Sequence, residues 1–292
     1  MSISRDKLGL VLGLIGVTIF AGTLPVTKIA VGALDPWFIT AARAGIAGVA
    51  SLVVLLLLRR PVPPRSAWLP LTVIAFALVL GFPALSAFAM RSVPVAHGGV
   101  VLGILPLATS MTAVLLAGER PSLGFWIAGA TGTALVIVFA IRHGGAGALA
   151  SGDLILVASI AAAAIGYTLS GRLALTMPGW EVISWACAIS LPVSALATFI
   201  LWPTNAASVP NDAWLAVIFV GLFPQFIGFF AWNAGLALGG IARVGQVQLL
   251  QTFMTVALAA IINREAIEAE TIAFAAAVVA TVMIGRRMPV RR

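Results

Sequence analysis

Charged residues are scarce in this sequence. Asp, Glu, Lys and Arg make up 9% of the 292 residues, whereas soluble chains carry about 25%. Hydrophobic residues make up 61% of the chain, and the mean hydropathy is +1.13. This balance excludes a soluble globular domain and predicts an integral membrane protein.

Cysteine and histidine are nearly absent as well. Cys187 is the single cysteine in the sequence, so it cannot form an internal disulfide. The two histidines, His97 and His143, do not cluster with cysteine at the spacings that bind zinc or iron. We therefore expect no metal site and no cofactor.

The acidic residues are few, and all nine lie near the ends of the apolar stretches described below. Proton relays usually place a carboxylate in the middle of the membrane, so this pattern disfavours transport coupled to a buried carboxylate. It also disfavours a membrane enzyme, because prenyl transfer needs acidic metal-binding pairs. Intramembrane hydrolysis likewise needs paired carboxylates or a nucleophile with its base.

Apolar stretches bounded by charges, prolines or polar clusters run along the whole chain. Each is close to the length of about 20 residues that spans a bilayer as a helix. Helices are required because lipid cannot satisfy an unpaired backbone, and the stretches lack the alternation typical of a barrel. Ten helices are predicted at residues 8–31, 37–58, 68–90, 95–117, 123–141, 154–175, 182–202, 213–238, 241–262 and 269–285.

The cations predict the orientation of the chain. The net charge is +8, and positive residues favour cytoplasmic loops. With the N-terminus inside, Arg91, Arg142 and Arg264 fall outside, while Lys28 and Arg43 lie within spans. The remaining Lys and Arg residues face the cytoplasm, so both termini are predicted to be cytoplasmic in a multi-pass protein of the inner membrane.

An internal repeat divides the chain at residue 146. A shift of 146 residues aligns Glu119 with Glu265, and a shift of 144 aligns Lys28 with Arg172. Five spans in each half is an odd number, so the second half must be inverted relative to the first. We predict an all-α membrane protein of two inverted five-helix repeats, 1–146 and 147–292, around a central cavity, as is typical of secondary transporters.

Several motifs resemble the EamA-type branch of the drug/metabolite transporter superfamily. They are the segment 20–28 (FAGTLPVTK), the segment 35–43 (DPWFITAAR), Pro106 in the fourth span, and the Gly-Glu pair 118–119 before 124–136. Within the superfamily, the length and layout are most similar to exporters of aromatic and other amino acids of the YddG type. The resemblance implies a ten-helix exporter whose cavity is lined by spans one, three, four, six, eight and nine.

The second half departs from the pattern of that family. Residues 263–265 read Asn-Arg-Glu where Gly-Glu is usual, Thr252 replaces the proline of the fourth span, and Ala186 stands near the position of Arg43. The fold expectation is unaffected, but the two halves are not expected to work identically.

Span nine carries a polar stripe among its aliphatic residues. At 100° per residue, Gln248, Gln251, Thr252 and Thr255 share one face, and Gln246 points to the other side. This stripe favours a wet cavity; hydrogen bonding between helices is the alternative. The other predicted cavity residues are His97, Tyr167, Trp185, Gln225, Trp232 and Asn233.

Two cations within spans are candidates for gating. A cation at the centre of a span costs about 2.5–3.5 kcal/mol on insertion scales, so each needs compensation. Lys28 can extend to the outer interface, whereas Arg43 can pair with Asp35, satisfy carbonyls of a neighbouring helix, or contact an anion.

Prolines within spans are the second class of gating candidates, because proline removes a backbone hydrogen bond and kinks the helix. Those expected to interrupt spans are Pro25, Pro83, Pro106, Pro192 and Pro224. Pro83 and Pro224 match across the repeat and are the predicted hinges.

The combined expectation is a secondary transporter that exports small metabolites, amino acids or their analogues, by alternating access. The alternatives are a drug or other metabolite exporter of the same superfamily and a pore-forming channel. The expected partners are a small-molecule substrate and the lipid bilayer, with no nucleic acid, and the protein is expected to be a monomer or a homodimer.

Overall fold

A computed structural model describes residues 5–117, 120–143, 151–266, 268–285 and 287–291. Helices dominate these residues, as expected of a backbone that must satisfy its own hydrogen bonds in lipid. The helices are α1 (Arg5–Ala21), α2 (Thr23–Val31), α3 (Pro36–Leu57), α4 (Arg65–Ile74), α5 (Phe82–Ser92), α6 (Val95–Val101), α7 (Leu105–Thr112), α8 (Leu123–His143), α9 (Ser151–Leu173), α10 (Gly179–Ile200), α11 (Asn211–Leu222), α12 (Gly228–Gly239), α13 (Ile241–Gly245), α14 (Gln248–Asn263) and α15 (Ala269–Gly285). One antiparallel pair of two-residue strands, β1 (Arg120–Pro121) and β2 (Val290–Arg291), joins the loop before α8 to the segment after α15.

Eight helical segments within the described residues are long and apolar enough to cross a membrane. They are Arg5–Val31, Pro36–Leu57, Arg65–Ser92, Val95–Leu116, Gly152–Leu173, Gly179–Ile200, Asn211–Gly239 and Ile241–Asn263. A shorter apolar helical stretch, Leu123–Leu135, lies in α8. The all-helical membrane architecture is therefore confirmed, whereas the number of ten spans stays a prediction.

Irregular helical turns lie at or beside four of the five prolines that were expected to interrupt spans. Wide π-helical turns at Ala75–Gly81 and Phe223–Ile227 adjoin Pro83 and contain Pro224, respectively. A tight 3₁₀ turn, Leu102–Ile104, precedes Pro106, and Gly22 separates α1 from α2 three residues before Pro25. The prediction for Pro192 was wrong: α10 runs through it from Gly179 to Ile200. A proline removes the hydrogen bond of its own backbone nitrogen, and the neighbouring turns can keep the helix continuous.

Glycines bring α1 and α12 into close antiparallel contact. A Cβ at Gly9 would lie 2.5 Å from the Gly239 backbone nitrogen, and one at Gly235 would lie 2.8 Å from the Gly13 nitrogen. Small residues of this kind allow helices to approach in a membrane. Gly9 and Gly13 lie one helical turn apart in the sequence, a spacing of small residues that permits this contact.

Ion pairs and strand pairing mark one end of the bundle, which we call the terminal end. Asp6 Oδ2 lies 2.6 Å from Arg243 Nη1, and Arg60 Nε lies 3.1 Å from Glu181 Oε1. Helices α6 and α7 run antiparallel to α13 and α14. The chain that leaves α7 therefore reaches β1 at the end where α13 begins, near Arg243, and the β1–β2 pair lies at the terminal end. The start of α1 and β2 therefore lie at one end of the molecule.

The opposite end is organised around the corner between α5 and α6, residues 90–97. Lys28, Glu265 and Asp153 all reach this corner from other segments. Their contacts close the bundle on this side.

Candidate functional site

A small cavity lies among buried residues where segments from both halves of the chain meet. Its free volume is about 10 Å³, which is close to what a single water molecule needs. A metabolite does not fit in this conformation. The lining residues are Phe20, Thr23, Arg43, Leu78, Phe82, Tyr167, Pro224, Gln225, Phe229 and Gln251.

Arg43 is the cation of this cavity. It lies on α3, is 2% exposed, and its Nε and Nη1 have no hydrogen-bond partner among the described residues. The pairing with Asp35 considered from the sequence was wrong: Asp35 caps α3 by accepting a hydrogen bond from the Trp37 backbone at 2.8 Å. The structure thus leaves a buried guanidinium facing the cavity.

Two glutamines face the same cavity as Arg43. Gln225 comes from the wide turn at 223–227, and Gln251 comes from α14. Gln225 Nε2 and Gln251 Oε1 are buried without a partner in the described part of the chain. Because an amide offers both donors and an acceptor, these groups can bind either polar end of a small molecule.

The polar stripe of α14 divides between the cavity and helix packing. Gln251 lines the cavity, but Thr255 Oγ1 donates to the Ala21 carbonyl at 3.1 Å. Gln248 is 2% exposed with both amide atoms unpartnered among the described residues, and Thr252 is 2% exposed. Gln246 faces elsewhere and donates to the Phe125 carbonyl at 3.4 Å. Gln251 therefore faces the cavity and Thr255 joins two helices, and the wetness of the cavity stays a prediction.

Aromatic rings form the apolar wall of the cavity. Phe20 and Phe229 have ring centroids 4.8 Å apart, and Tyr167 lies 5.8 Å from Phe229. Trp232 packs behind this wall, 5.3 Å from Tyr167, with its indole Nε1 unpartnered among the described residues. Ring pairs at these distances favour an apolar, rigid surface.

Three other predicted cavity residues lie away from the lining. His97 Nε2 lies 2.7 Å from Asp153 Oδ1, near the start of α9. Asn233 Nδ2 donates to the Gly179 carbonyl at 3.0 Å, which joins α12 to α10. Trp185 is half-buried on α10, and its Nε1 has no partner among the described residues. The structure does not bring these three together with Arg43.

Lys28 closes the opposite end of the bundle rather than reaching the cavity. Its Nζ donates to the Met90 carbonyl at 2.8 Å and to the Val93 carbonyl at 3.2 Å. These carbonyls lie at the C-terminal end of α5, where a cation also interacts favourably with the helix dipole. Arg172, its counterpart in the repeat, likewise donates to a helix-end carbonyl, that of Leu116, at 2.8 Å.

Residues after α14 secure the same corner. Glu265 accepts hydrogen bonds from the backbone N–H groups of Val95 and Ala96 at 3.1 and 3.0 Å. Asn263 Nδ2 donates to the Pro25 carbonyl at 3.3 Å. The opposite end is thus closed by side chains from both halves. Glu119, which aligns with Glu265 in the repeat, lies outside the described residues.

A groove opens at the terminal end, between the start of α4 and the end of α9. Its volume is about 420 Å³, enough for a small metabolite. Arg172 is its cation. The other lining residues are Pro64, Ser66, Ala67, Pro70, Leu169, Leu173, Thr176 and Met177.

Five lining residues were not predicted from the sequence, because they are apolar or small. They are Phe20, Thr23, Leu78, Phe82 and Phe229. Phe20 and Thr23 belong to the motif at 20–28 and are one helical turn apart, which is a signal for a shared face. The other three have no distinguishing pattern among many apolar neighbours.

Comparisons with known proteins agree with this architecture. The model of the EamA-like transporter family matches residues 7–141 and again residues 150–285. A crystal structure of 24% sequence identity superposes with a TM-score of 0.74, covering 97% of this chain and 99% of the other, which shows a shared fold.

Two relatives cover most of the chain. The uncharacterized transporter YdeK of Bacillus subtilis (strain 168) is 43% identical over 279 residues, 96% of this chain and 97% of its own. The aromatic amino acid exporter YddG of Ancylobacter novellus is 28% identical over 239 residues, 76% of this chain and 78% of its own. With two matches to the family model and a full-length relative of this identity, the chain belongs to the EamA-like transporter family.

Proposed function

We propose that this membrane transporter exports small metabolites, amino acids that are aromatic or otherwise neutral, and their analogues, by alternating access. The observation that carries the proposal is the cavity between the halves, which combines unpartnered polar groups with an aromatic wall. Such a cavity suits an amphipathic molecule with one polar and one apolar part. The name of the Ancylobacter relative, an aromatic amino acid exporter, supports the same substrate class.

Ten spans in two inverted repeats, 1–146 and 147–292, form the proposed architecture. Contacts between helices support this architecture, because a contact of the first half with the second has a counterpart at the equivalent positions when the two halves are exchanged. Residues near 9 on α1 pack near 239 on α12, and residues near 152 on α9 pack near 93 at the end of α5. Each of these two pairs is antiparallel, and a shift of 144–146 residues converts one into the other. An inverted repeat predicts this exchange.

Alternating access requires that each end of the bundle can close and open. The opposite end is closed by hydrogen bonds to the corner 90–97, and the terminal end carries the ion pairs Asp6–Arg243 and Arg60–Glu181. Those ion pairs are partly exposed and are therefore weak, each worth less than about 1 kcal/mol. Contacts of this strength can break and re-form during a transport cycle.

The proposed location is the inner membrane, with the terminal end in the cytoplasm. The bias of Lys and Arg toward this end supports the assignment. Among the described residues that line the cavity there is no Asp or Glu, so we propose a cycle of substrate movement or exchange without a buried carboxylate as its coupling site.

Counterflow in proteoliposomes tests the proposed function. Vesicles loaded with excess unlabelled phenylalanine should transiently accumulate external labelled phenylalanine above equilibrium, because a carrier exchanges substrate through one site. A channel would give only equilibration, which would contradict alternating access, and strict dependence on an imposed pH gradient would contradict the absence of carboxylate coupling. Protein-free vesicles and vesicles loaded with other neutral amino acids complete the experiment.

A further inference from the structure

Arg43 differs from the other cations that lie in or beside the apolar bundle. Lys28 and Arg172 each donate to helix-end carbonyls at 2.8 Å. Arg43 lies deeper, is 2% exposed, and leaves Nε and Nη1 without a partner in the described residues. The side chains of Lys28 and Arg172 thus donate to backbone carbonyls, whereas Nε and Nη1 of Arg43 do not.

A buried guanidinium without an acceptor is unfavourable, because it has lost water and gained no counter-charge. A ligand with a negatively charged group would supply both the missing acceptor and the missing counter-charge. The cavity that it faces is the central one, and Arg43 is the single charged side chain among the described lining residues.

We propose that Arg43 binds the carboxylate of the transported substrate, and that the substrate class is therefore small carboxylates with an aromatic or apolar body. This inference rests on the proposed function and names the group that the transporter recognises. The planar guanidinium binds a carboxylate with two parallel hydrogen bonds. Compounds without a carboxylate lack this interaction, and amines, which are cations at neutral pH, are also repelled by the positive charge of Arg43.

The other lining groups fit the remainder of such a molecule. The Gln225 amide can donate a further hydrogen bond to the carboxylate, since its Nε2 is unpartnered in the described chain. Phe20, Phe82 and Phe229 provide an apolar wall for the body of the substrate. Gln251 offers an acceptor for an amino group, but the described lining offers no carboxylate for it. The α-amino group is thus accepted but not required.

The two halves contribute unequally to this site. Ala186 of α10 stands near the position that corresponds to Arg43, and it is fully buried. One guanidinium from the first half therefore provides the charge, and a single carboxylate neutralises it. A dicarboxylate would leave one charge without a partner in a low-dielectric cavity.

A series of phenylalanine derivatives tests the assignment in the counterflow assay. Phenylalanine and 3-phenylpropanoate keep the carboxylate, whereas phenylalaninamide and phenethylamine lack it. We expect the first two to compete with labelled phenylalanine and the last two to fail. Equal competition by the amide or the amine would overturn the assignment of Arg43 while leaving the proposed function in place.

Variants of Arg43 test the residue itself. Arg43→Gln should weaken competition by 3-phenylpropanoate by about thirtyfold or more, because a buried charge pair is lost. Arg43→Lys should recover part of this loss, since it keeps the charge but not the paired geometry. Arg91→Gln, which removes an exposed cation outside the cavity, is the matched control and should leave competition unchanged.

Thermal unfolding in detergent gives a second readout that needs no transport. 3-Phenylpropanoate should raise the melting temperature of the wild-type protein and of Arg91→Gln, and phenethylamine should not. Absence of that rise in the wild type, or its persistence in Arg43→Gln, would overturn the inference.

If Arg43→Gln does not fold, the comparison of acid, amide and amine on the wild type decides. If labelled phenylalanine gives no counterflow while another neutral amino acid does, the aromatic body assigned to the substrate is wrong and the transporter function stands.

Discussion

Glu265 caps the N-terminus of α6: its Oε1 accepts a hydrogen bond from the Val95 backbone N–H at 3.1 Å. The contact joins the segment after α14 to the corner 90–97, and so links the second half of the chain to the first. The negative charge also lies at the positive end of a helix dipole, where it is favourable.

Loss of this cap should destabilise the closed opposite end. Glu265→Ala removes the acceptors of two backbone N–H groups, and loss of a helix cap costs about 1 kcal/mol. We expect a lower melting temperature in detergent. Asp35→Asn is the control, because it removes a charge at the same end but keeps an oxygen for the Trp37 N–H. An unchanged melting temperature for Glu265→Ala would show that the cap does not contribute.

Lys28 should control access from the opposite end. Lys28→Met removes the donor to the Met90 and Val93 carbonyls, so we expect the corner 90–97 to separate more often from α2. The measurement is alkylation of a Leu24→Cys variant, because Leu24 is 1% exposed below this corner. Labelling should become faster in Lys28→Met and stay slow in Lys28→Arg, which keeps a donor. Slow labelling in both would contradict a closing role for Lys28.

Close packing of α1 against α12 should be sensitive to a single methyl group. A Cβ at Gly235 would lie 2.8 Å from the Gly13 nitrogen and 2.9 Å from the Gly9 carbonyl oxygen. Gly235→Ala must therefore separate two backbones, and overpacking of this kind costs about 1–3 kcal/mol. Gly45→Ala is the matched control, since its Cβ would meet Thr198 at an ordinary 3.7 Å. Thermal unfolding of the two variants should differ clearly; equal melting temperatures would show that the helices can move apart freely.

The prolines matched across the repeat should affect transport more than stability. Pro224→Ala restores a backbone donor in the wide turn Phe223–Ile227, which favours a regular helix in place of the bend. We expect slower counterflow with an unchanged or higher melting temperature. Pro192→Ala is the comparison, because α10 is continuous through Pro192, and its counterflow rate should stay near that of the wild type. Equal rates in both variants would contradict a hinge at Pro224.

Composition and hydropathy were sufficient to predict the helical membrane architecture. The bilayer restricts the backbone to a few solutions, so long apolar stretches carry most of the fold information. Gly9 and Gly13 could be assigned to close packing on the same basis, because small residues at helical spacing permit near contact. Pro192 could not be assigned correctly, since the sequence does not show whether neighbouring turns compensate for a proline.

Only polar residues of the candidate site could be predicted, because polar side chains are unusual within a membrane span. Arg43, Gln225 and Gln251 could be found because burying them in lipid is costly. His97 carries the same signal, but it pairs with Asp153 at the bundle end, and a pairing of residues 56 positions apart cannot be read from the sequence. Phe82 and Phe229 line the cavity with side chains that equally suit the core, so their role depends on the three-dimensional packing.

Alternating access requires that one cavity, at Arg43, opens in turn to the two sides of the membrane. Alkylation of a cysteine in the cavity wall from each side measures this opening. Thr23→Cys in a Cys187→Ala background places that thiol in the lining, and a membrane-impermeant maleimide is added to right-side-out or inside-out vesicles. Cysteines at the exposed positions Arg59 and Arg91 report which side is reached. We expect labelling of Thr23→Cys from both sides, slowed by phenylalanine. Labelling from one side alone would rule out alternating access at this cavity.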